Sequence, residues 1–285
     1  MLIKILYLTK FKRMLKQYLS LFLLFAFSFI FAQNKSFVYE MKFKSDPNKD
    51  STSKAKYVLD INDGKSMFRT VRDKQTDSTF HATKRFSFMT TSFKDFNSVS
   101  KDLKAKETKK FINNFQKLFT IKIEEALAWK IENDTKETLG MKSQKAVTNY
   151  GGRNWVAWFT NEIPLQEGPY VFQGLPGLIT EIYDTKNEYT FTLVQIKNSD
   201  GKLYEKEKAL PISWKQYEKL ALDYYSDPTR EINGKNAGST VMITKWQDEN
   251  GNEFTPNFKE WNEREQKEIR ENNNPIELSH KIDYR

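Results

Sequence analysis

Few residues that could perform catalytic chemistry are suitably spaced in this sequence. The two histidines, His81 and His280, cannot build a zinc site without several carboxylates, so a metal site is not expected. Residues 60–64 resemble the start of a calcium loop, but the glycine comes one residue too early and the terminal glutamate is missing. Nucleophile elbows, phosphate-binding glycine loops and dinucleotide fingerprints are absent from the sequence. We therefore predict no catalytic, cofactor or metal site, and a protein that is not an enzyme.

A lysine-rich stretch between residues 101 and 117 raises the question of nucleic-acid binding, because Phe111 and Phe115 are interleaved with its cationic side chains. The export signal described below argues against a nucleic-acid partner. We interpret the stretch as a solvated loop, with contact to anionic lipid or polysaccharide as the alternative. The lysines concerned are Lys101, Lys104, Lys106, Lys109, Lys110 and Lys117.

Arg153, Trp155 and Trp158 have the greatest potential for recognition. In a strand, alternate residues share a face, so Arg153 and Trp155 lie on one face and Trp158 on the other. The two indoles therefore do not form one aromatic platform. The structural interpretation is an arginine bonded to carbonyls near residues 151–152 and tryptophans in the core, and the functional alternative is a contact surface. The candidate ligand or partner contacts are Arg153, Trp155, Trp158, Phe172 and Tyr183.

Residues 172–184 form the stretch around which the rest of the chain is arranged. Pro176 has a φ preset for the second position of a turn, and Gly177 can adopt the positive φ that the third position of a type II turn requires. Residues 175–178 are therefore predicted to form a tight corner. Residues 178–183 then alternate with apolar side chains on both faces, which predicts a buried strand.

The corner resembles the signature of a known family. Four upstream stretches also resemble conserved blocks of that family, in the same order: residues 140–146, 152–160, 163–164 and 168–170. The family is the GLPGLI family of exported bacterial proteins, whose hexapeptide is matched by Gly174, Leu175, Pro176, Gly177, Leu178 and Ile179. The resemblance covers residues 36–285, is densest from 129 to 196, and implies a protein of unknown function with no established site residues. Ser143 stands where the family often has a cysteine, so a thiol role is absent here.

The N-terminal segment predicts export. Residues 1–32 carry five basic residues and no acidic one, followed by an apolar run over residues 19–31 and by Ala32, which is the outline of a signal peptide cleaved near Ala32. An uncleaved anchor is the alternative, but this run is short against the roughly 20 residues that span a bilayer. Met14 is an alternative start. We expect a periplasmic or secreted mature chain without a transmembrane span.

The composition suits one exported β-rich domain over residues 33–285, with a charged tail from about residue 256. The chain has no cysteine, which excludes disulfides, a lipid-modified cysteine and thiolate chemistry. An aromatic content of 14% supplies large side chains for strand faces. The predicted leader holds five of the basic residues behind the net charge of +9, so the mature chain is only mildly basic.

Alternating apolar and polar residues predict strands over most of the chain. Asp-Gly pairs predict two hairpins, which join residues 57–61 to 66–71 and residues 189–197 to 202–206. Ser213 with Gln216 forms a capping box that predicts an amphipathic helix over 213–225, and residues 258–271 predict a charged, solvated helix. The other predicted strands are 36–44, 80–93, the second half of 111–123, 128–132, 145–150 and 154–160.

These elements predict a mainly β fold with minor α (α+β), in which a curved antiparallel sheet or half-barrel packs on one helix. For function we predict a non-enzymatic periplasmic binding or carrier module for an apolar small molecule or lipid, with a concavity lined by residues such as Phe172, Leu175 and Tyr183. The alternative is a structural or assembly partner of a cell-envelope complex. Such a partner would dock through an exposed edge strand or through the tail from 258 to 285.

Overall fold

A computed structural model describes residues 35–83, 93–114, 117–206, 208–233, 246–247 and 250–285. The predicted signal peptide lies outside the described residues. The helices are α1 (Val71–Thr83), α2 (Trp214–Ser226) and α3 (Phe258–Glu271), and a short 3₁₀ helix spans Leu278–His280. The strands are β1 (Lys35–Phe43), β2 (Ser53–Asn62), β3 (Lys65–Thr70), β4 (Phe93–Asp102), β5 (Glu107–Asn114), β6 (Lys117–Lys122), β7 (Lys130–Thr138), β8 (Met141–Tyr150), β9 (Arg153–Thr160), β10 (Leu178–Asp184), β11 (Tyr189–Asn198), β12 (Leu210–Pro211), β13 (Trp246–Gln247) and β14 (Glu253–Phe254).

Twelve strands form one open sheet, so the prediction of a mainly β fold is confirmed. Their order is β12-β6-β5-β4-β3-β2-β1-β11-β10-β9-β8-β7, and β13 pairs with β14 separately. Each pair in the large sheet is antiparallel except β12 with β6. β1 and β11 meet at its centre, and β7 forms one edge.

The sheet is strongly curled. Lys110 lies on β5 and Tyr150 on β8, eight places apart in the strand order. In a flat sheet with neighbouring strands about 4.8 Å apart, this separation would be close to 40 Å. Yet both side chains donate hydrogen bonds to the same carboxylate, that of Glu277, over 2.7 and 2.8 Å. The two ends of the open sheet therefore approach each other.

The space inside the curl is filled by residues 161–177, which we call the inner loop. Tyr170, Phe172 and Leu175 of this loop are buried among the inner side chains of the sheet. The loop is bonded to separate parts of the molecule, because Trp129 Nε1 donates to Gln173 O over 2.8 Å and Gln173 Nε2 donates to Thr108 Oγ1 over 3.3 Å. The prediction that the sheet packs around one helix is not confirmed, since the main core is filled by this loop.

α2 has the predicted capping box and occupies a second, smaller core. Ser213 Oγ accepts a hydrogen bond from the N–H of Gln216 over 3.2 Å, and the Gln216 side chain accepts from the N–H of Ser213 over 2.8 Å. The helix packs near the β12 edge of the sheet. Its contacts there involve Ile112, Phe119 and Ile121 of the sheet with Ile212, Trp214, Tyr217 and Leu220.

One of the two predicted hairpins is present in the structure, and the other hairpin and one predicted strand are not. The hairpin of β2 and β3 is confirmed, with Asp63 and Gly64 at φ values of 48° and 78°. Residues 202–206 form no strand, so the second predicted hairpin is wrong. Instead, the carbonyl oxygens of Leu203 and Tyr204 accept hydrogen bonds from the side chain of Arg69. Of the strand predicted at 80–93, residues 80–83 belong to α1 instead and residues 84–92 lie outside the described part.

α1 escaped prediction because none of its side chains is buried, so the sequence carries no apolar helical stripe. Its first turn is capped by Thr70 Oγ1, which accepts a hydrogen bond from the N–H of Asp73 over 3.0 Å. Among the described residues, no helix is both long and apolar enough to cross a membrane.

Candidate functional site

Arg153 is buried and bonded as the structural interpretation requires, but to different carbonyls. Its guanidinium donates to Ile276 O over 3.0 Å and to Pro275 O over 2.8 Å, rather than to residues 151–152. It also pairs with Asp184 and Glu188 and donates to Asn274 Oδ1. Because these groups occupy the whole fork of the guanidinium, Arg153 fixes residues 274–276 to β9 and is not exposed to a ligand.

Trp155 and Phe172 are core residues. Their ring centroids are 4.7 Å apart, and each side chain is almost completely buried. Leu175 is buried beside them in the same cluster. These side chains therefore present no surface to a ligand in this conformation.

Trp158 and Tyr183 lie half-buried on the opposite face of the sheet, as strand alternation predicts for Trp158 relative to Arg153 and Trp155. Lys136 Nζ lies 4.5 Å from the centre of the Trp158 ring and also pairs with Glu181. The structure thus separates the five candidate contacts into a buried set and an outer set, and they do not form one site.

The hexapeptide 174–179 is constrained by close packing, and the predicted type II turn is wrong. Gly177 does not have the positive φ that such a turn needs, whereas Gly174 has a φ of +92°. The N–H of Leu178 donates to Ile163 O over 3.0 Å, outside the corner. A Cβ on Gly177 would lie 2.1 Å from Thr160 O, so the absence of a side chain permits two backbone segments to touch.

Residues 274–277, which we call the C-terminal segment, each accept hydrogen bonds from the body of the protein. Glu277 accepts hydrogen bonds from Lys110 and Tyr150 and a short one from Tyr170. Burial by itself raises the pKa of Glu277, but the charge of Lys110 and these hydrogen bonds together outweigh burial and leave the pKa below its ordinary value. Glu277 is therefore an ionised carboxylate in the interior, with a fixed structural role.

A second buried pair lies at the inner loop. Lys101 Nζ is 2.5 Å from Glu167 Oε2 and donates a 2.7 Å hydrogen bond to Gly168 O. Burial lowers the pKa of Lys101, although the charge of Glu167 acts in the opposite direction, and burial together with that same charge raises the pKa of Tyr39. The interpretation of the lysine stretch as a solvated loop is thus wrong for Lys101 and Lys110, which both lie in the interior.

A cavity of about 40 Å³ lies between α2 and the C-terminal segment. The rings of Trp214 and His280 stack 4.0 Å apart at its wall, and burial lowers the pKa of His280. The cavity has room for a few water molecules, and its cation, Lys110, is already paired with Glu277. Its lining residues are Lys110, Trp214, Tyr217, Asn273, Pro275, Glu277, His280, Ile282 and Tyr284.

Residues 194–198, at the end of β11, form an exposed run of strand in the large sheet. β10 pairs with β11 only through residues 181–183 and 190–192. Within the described part of the chain, residues 195–198 pair with β1 on one side, and Val194 is the extra residue at the register shift. On the other side, residues 194–198 have no backbone pairing among the described residues. All five side chains are exposed. This half of β11, which we call the free half-edge, offers hydrogen-bonding groups to a partner.

Together, the curled open sheet and the filled interior define a mainly β protein. Residues 67–181, from β3 into β10, match the model of a family described as "Protein of unknown function (Porph_ging)". This match contains the hexapeptide. The description of this family agrees with the expectation that the biochemical function is unknown. No curated protein matches the chain.

Ten solved protein chains are similar to this one. A structure of PNGF-II in one crystal form is 17% identical with a TM-score of 0.46, over 66% of this chain and 33% of that chain. A second crystal form is 16% identical with a TM-score of 0.47, over 66% and 32%. The similarity thus involves about a third of the PNGF-II chain.

Proposed function

We propose that this protein is a non-enzymatic docking module that binds another protein in the envelope of the exporting cell. The observation that carries the proposal is the free half-edge of β11, where strand backbone is exposed on a well-packed sheet. Unpaired strand edges are general acceptors for extended segments of other proteins. The rigid core behind it, in which Leu193 and Phe191 are fully buried, holds the half-edge in a fixed geometry.

Export supports an envelope setting and rests on the N-terminal segment. The leader of residues 1–32 has the basic, apolar and small-residue regions of a signal peptide, which would direct the mature chain to the periplasm or the cell exterior. The absence of cysteine suits a domain that is stable outside the cytoplasm without disulfides.

The test is site-specific photo-cross-linking in cells that export the protein. A photoreactive residue replaces Gln195 in the free half-edge, and the matched control replaces Asn154, which is also exposed, on β9, but has backbone hydrogen bonding on both sides. We expect a reproducible protein adduct from position 195 and none from position 154. The absence of an adduct at 195, or identical adducts from both positions, would contradict the docking function.

The second candidate is a carrier for an apolar small molecule or lipid, and the aromatic inner face of the sheet favours it. Phe172 of the inner loop packs edge to face against Phe191 of β11, with ring centroids 6.5 Å apart. A ligand of lipid size would have to displace the inner loop from this space. Native mass spectrometry of the mature protein distinguishes the two candidates, because a stoichiometric small-molecule adduct is expected only of the carrier.

A further inference from the structure

We infer that the partner of the free half-edge is an extended protein segment with alternating apolar and acidic side chains, which adds to β11 as a further strand. This inference rests on the proposed docking function and names the chemistry of its partner. Strand addition of this kind obtains affinity from main-chain hydrogen bonds and specificity from alternate side chains.

The free half-edge exists because the inner loop takes the place that β11 would otherwise occupy beside β10. The N–H of Ile179 donates to Glu167 O and that of Leu178 donates to Ile163 O, both over 3.0 Å. The first residues of β10 are therefore bonded to the inner loop and are not paired with residues 194–198. The five residues of the free half-edge extend over about 17 Å, enough for a short strand.

β7, which forms one of the two terminal edges of the sheet, is less suitable for strand addition than the free half-edge. It carries charges of both signs along its length, and its pairing with β8 is interrupted between Ile131 and Thr135. Charged side chains and bulges are common protections of sheet edges against unwanted pairing. Its charged residues are Lys130, Glu132, Asp134, Lys136 and Glu137. By contrast, the free half-edge has the sequence Val-Gln-Ile-Lys-Asn, with one charge.

Side chains of the free half-edge indicate what the partner must supply. Val194 and Ile196 are 44% and 40% exposed, a large fraction for apolar residues in a central strand. Ile196 is paired with Phe37 on the inner face, whereas Lys197 is paired with Ser36 on the other face. A partner strand therefore meets an apolar side chain and a cation at successive positions, on opposite faces.

The local charge is of one sign. Among residues 194–198 and the β1 residues paired with them, the charged side chains are Lys197 and Lys35, and both are basic. A cross-strand carboxylate opposite Lys197 would be stabilising, and a cation there would be repelled. Alternation along the added strand then places an apolar residue next to each acid.

The direct test measures binding of a labelled synthetic peptide of about seven residues with alternating valine and glutamate to the mature protein by fluorescence anisotropy. We expect saturable binding that is lost when alternate peptide nitrogens are methylated. Ile196→Asp should weaken it at least tenfold, on the order of a central interface residue. The matched control Ile131→Asp, on β7, should leave it unchanged.

A charge reversal tests the acidic character separately. Lys197→Glu should weaken binding of the glutamate peptide by about threefold, the size of an exposed ion pair. The same variant should bind a valine-lysine peptide better than the unaltered protein does. Because both substitutions are at exposed positions, we expect melting temperatures close to that of the unaltered protein.

Three outcomes would overturn the inference. Loss of peptide binding in Ile131→Asp but not in Ile196→Asp would place the strand on β7. A stable homodimer that Ile196→Asp dissociates would make a second copy the occupant. A cross-link from position 195 with no binding of any peptide would refute this partner chemistry and leave the docking function intact. The docking function itself is refuted only by the cross-linking experiment.

Discussion

Glu277 receives hydrogen bonds from β5, from β8 and from the inner loop, through Lys110, Tyr150 and Tyr170. Each donor lies at least 100 residues away in the sequence. A buried ion pair contributes little net stability against an apolar replacement, but removal of one partner leaves an uncompensated charge. The value of this carboxylate is therefore greatest in fixing where these three parts of the molecule meet.

We expect Glu277→Gln to lower the free energy of unfolding by about 3–5 kcal/mol, because the buried Lys110 loses the carboxylate that neutralises its charge. Further replacement of Lys110 by Met should recover part of the loss, since no charge then remains. Chemical denaturation of the unaltered protein and of the single and double variants measures both effects. A double variant less stable than Glu277→Gln would contradict this account.

The same carboxylate predicts a pH dependence. Because its pKa in the folded protein is below the ordinary value of 4.5, its contribution is complete above pH 4.5 and is lost as the pH falls through the folded-state pKa. The unaltered protein should therefore lose stability more steeply than Glu277→Gln below pH 4.5. Denaturation midpoints over a pH series measure this difference, and parallel curves below pH 4.5 would exclude the ionised state assigned to Glu277.

Gly177→Ala tests the packing of the hexapeptide. The new Cβ would lie 2.1 Å from Thr160 O, so we expect a loss of about 1–3 kcal/mol from overpacking, measured by denaturation. The control is Gly140→Asn, because Gly140 has a φ of +73° with no atom within 4 Å of an added Cβ, and asparagine tolerates that conformation. Equal stability of the two variants would argue against the close contact.

At the residue scale, the sequence predicted that Arg153 is bonded to backbone carbonyls, but it did not identify which ones. Its burial followed from strand alternation beside Trp155, whereas Pro275 and Ile276 lie more than 120 residues away in the chain. Lys101 and Lys110 could not be recognised as interior residues, since a lysine is normally solvated and only the tertiary fold supplies Glu167 and Glu277. Local patterns do not encode such distant pairs.

At the scale of elements, strands and capped helices were predictable because their signals are local. The Asp63-Gly64 turn and the Ser213 cap each act within a few residues. The bulge at the start of the free half-edge had a local signal too. Apolar residues alternate through Phe191 and Leu193 and then change phase at Val194, where the register with β1 shifts. The departure of β10 from β11 depends on the inner loop and had no signal in β11.

Ser213→Ala tests the local signal of α2. Loss of the hydroxyl acceptor leaves the N–H of Gln216 without its cap, so we expect a loss of about 1 kcal/mol. Thermal unfolding measures it against Ser279→Ala, a substitution at an exposed position. If Ser213→Ala melts like Ser279→Ala, the capping box does not contribute to stability.

At the scale of the whole molecule, the C-terminal segment completes the curl. The sequence predicted a charged tail from about residue 256, and α3 is indeed without buried residues. Beyond α3, however, Asn274, Ile276 and Glu277 are buried, and Tyr189 donates a hydrogen bond to Asn274 O. The tail thus ends in a segment that belongs to the core, which its short, polar sequence does not indicate.

Removal of residues 273–285 should therefore abolish cooperative unfolding, because it strips Lys110 of its carboxylate, takes three acceptors from Arg153 and exposes the core around Ile276. Removal of Arg285 alone is the matched control. Asp283 and Arg285 are exposed and pair with each other, so we expect a change of no more than about 0.5 kcal/mol. Near-ultraviolet circular dichroism and amide hydrogen exchange measure the outcome, with loss of protection in β5 and β8 expected only for the longer deletion. Since those strands meet through Glu277, unchanged protection in both would mean that the sheet holds its curl without the C-terminal segment.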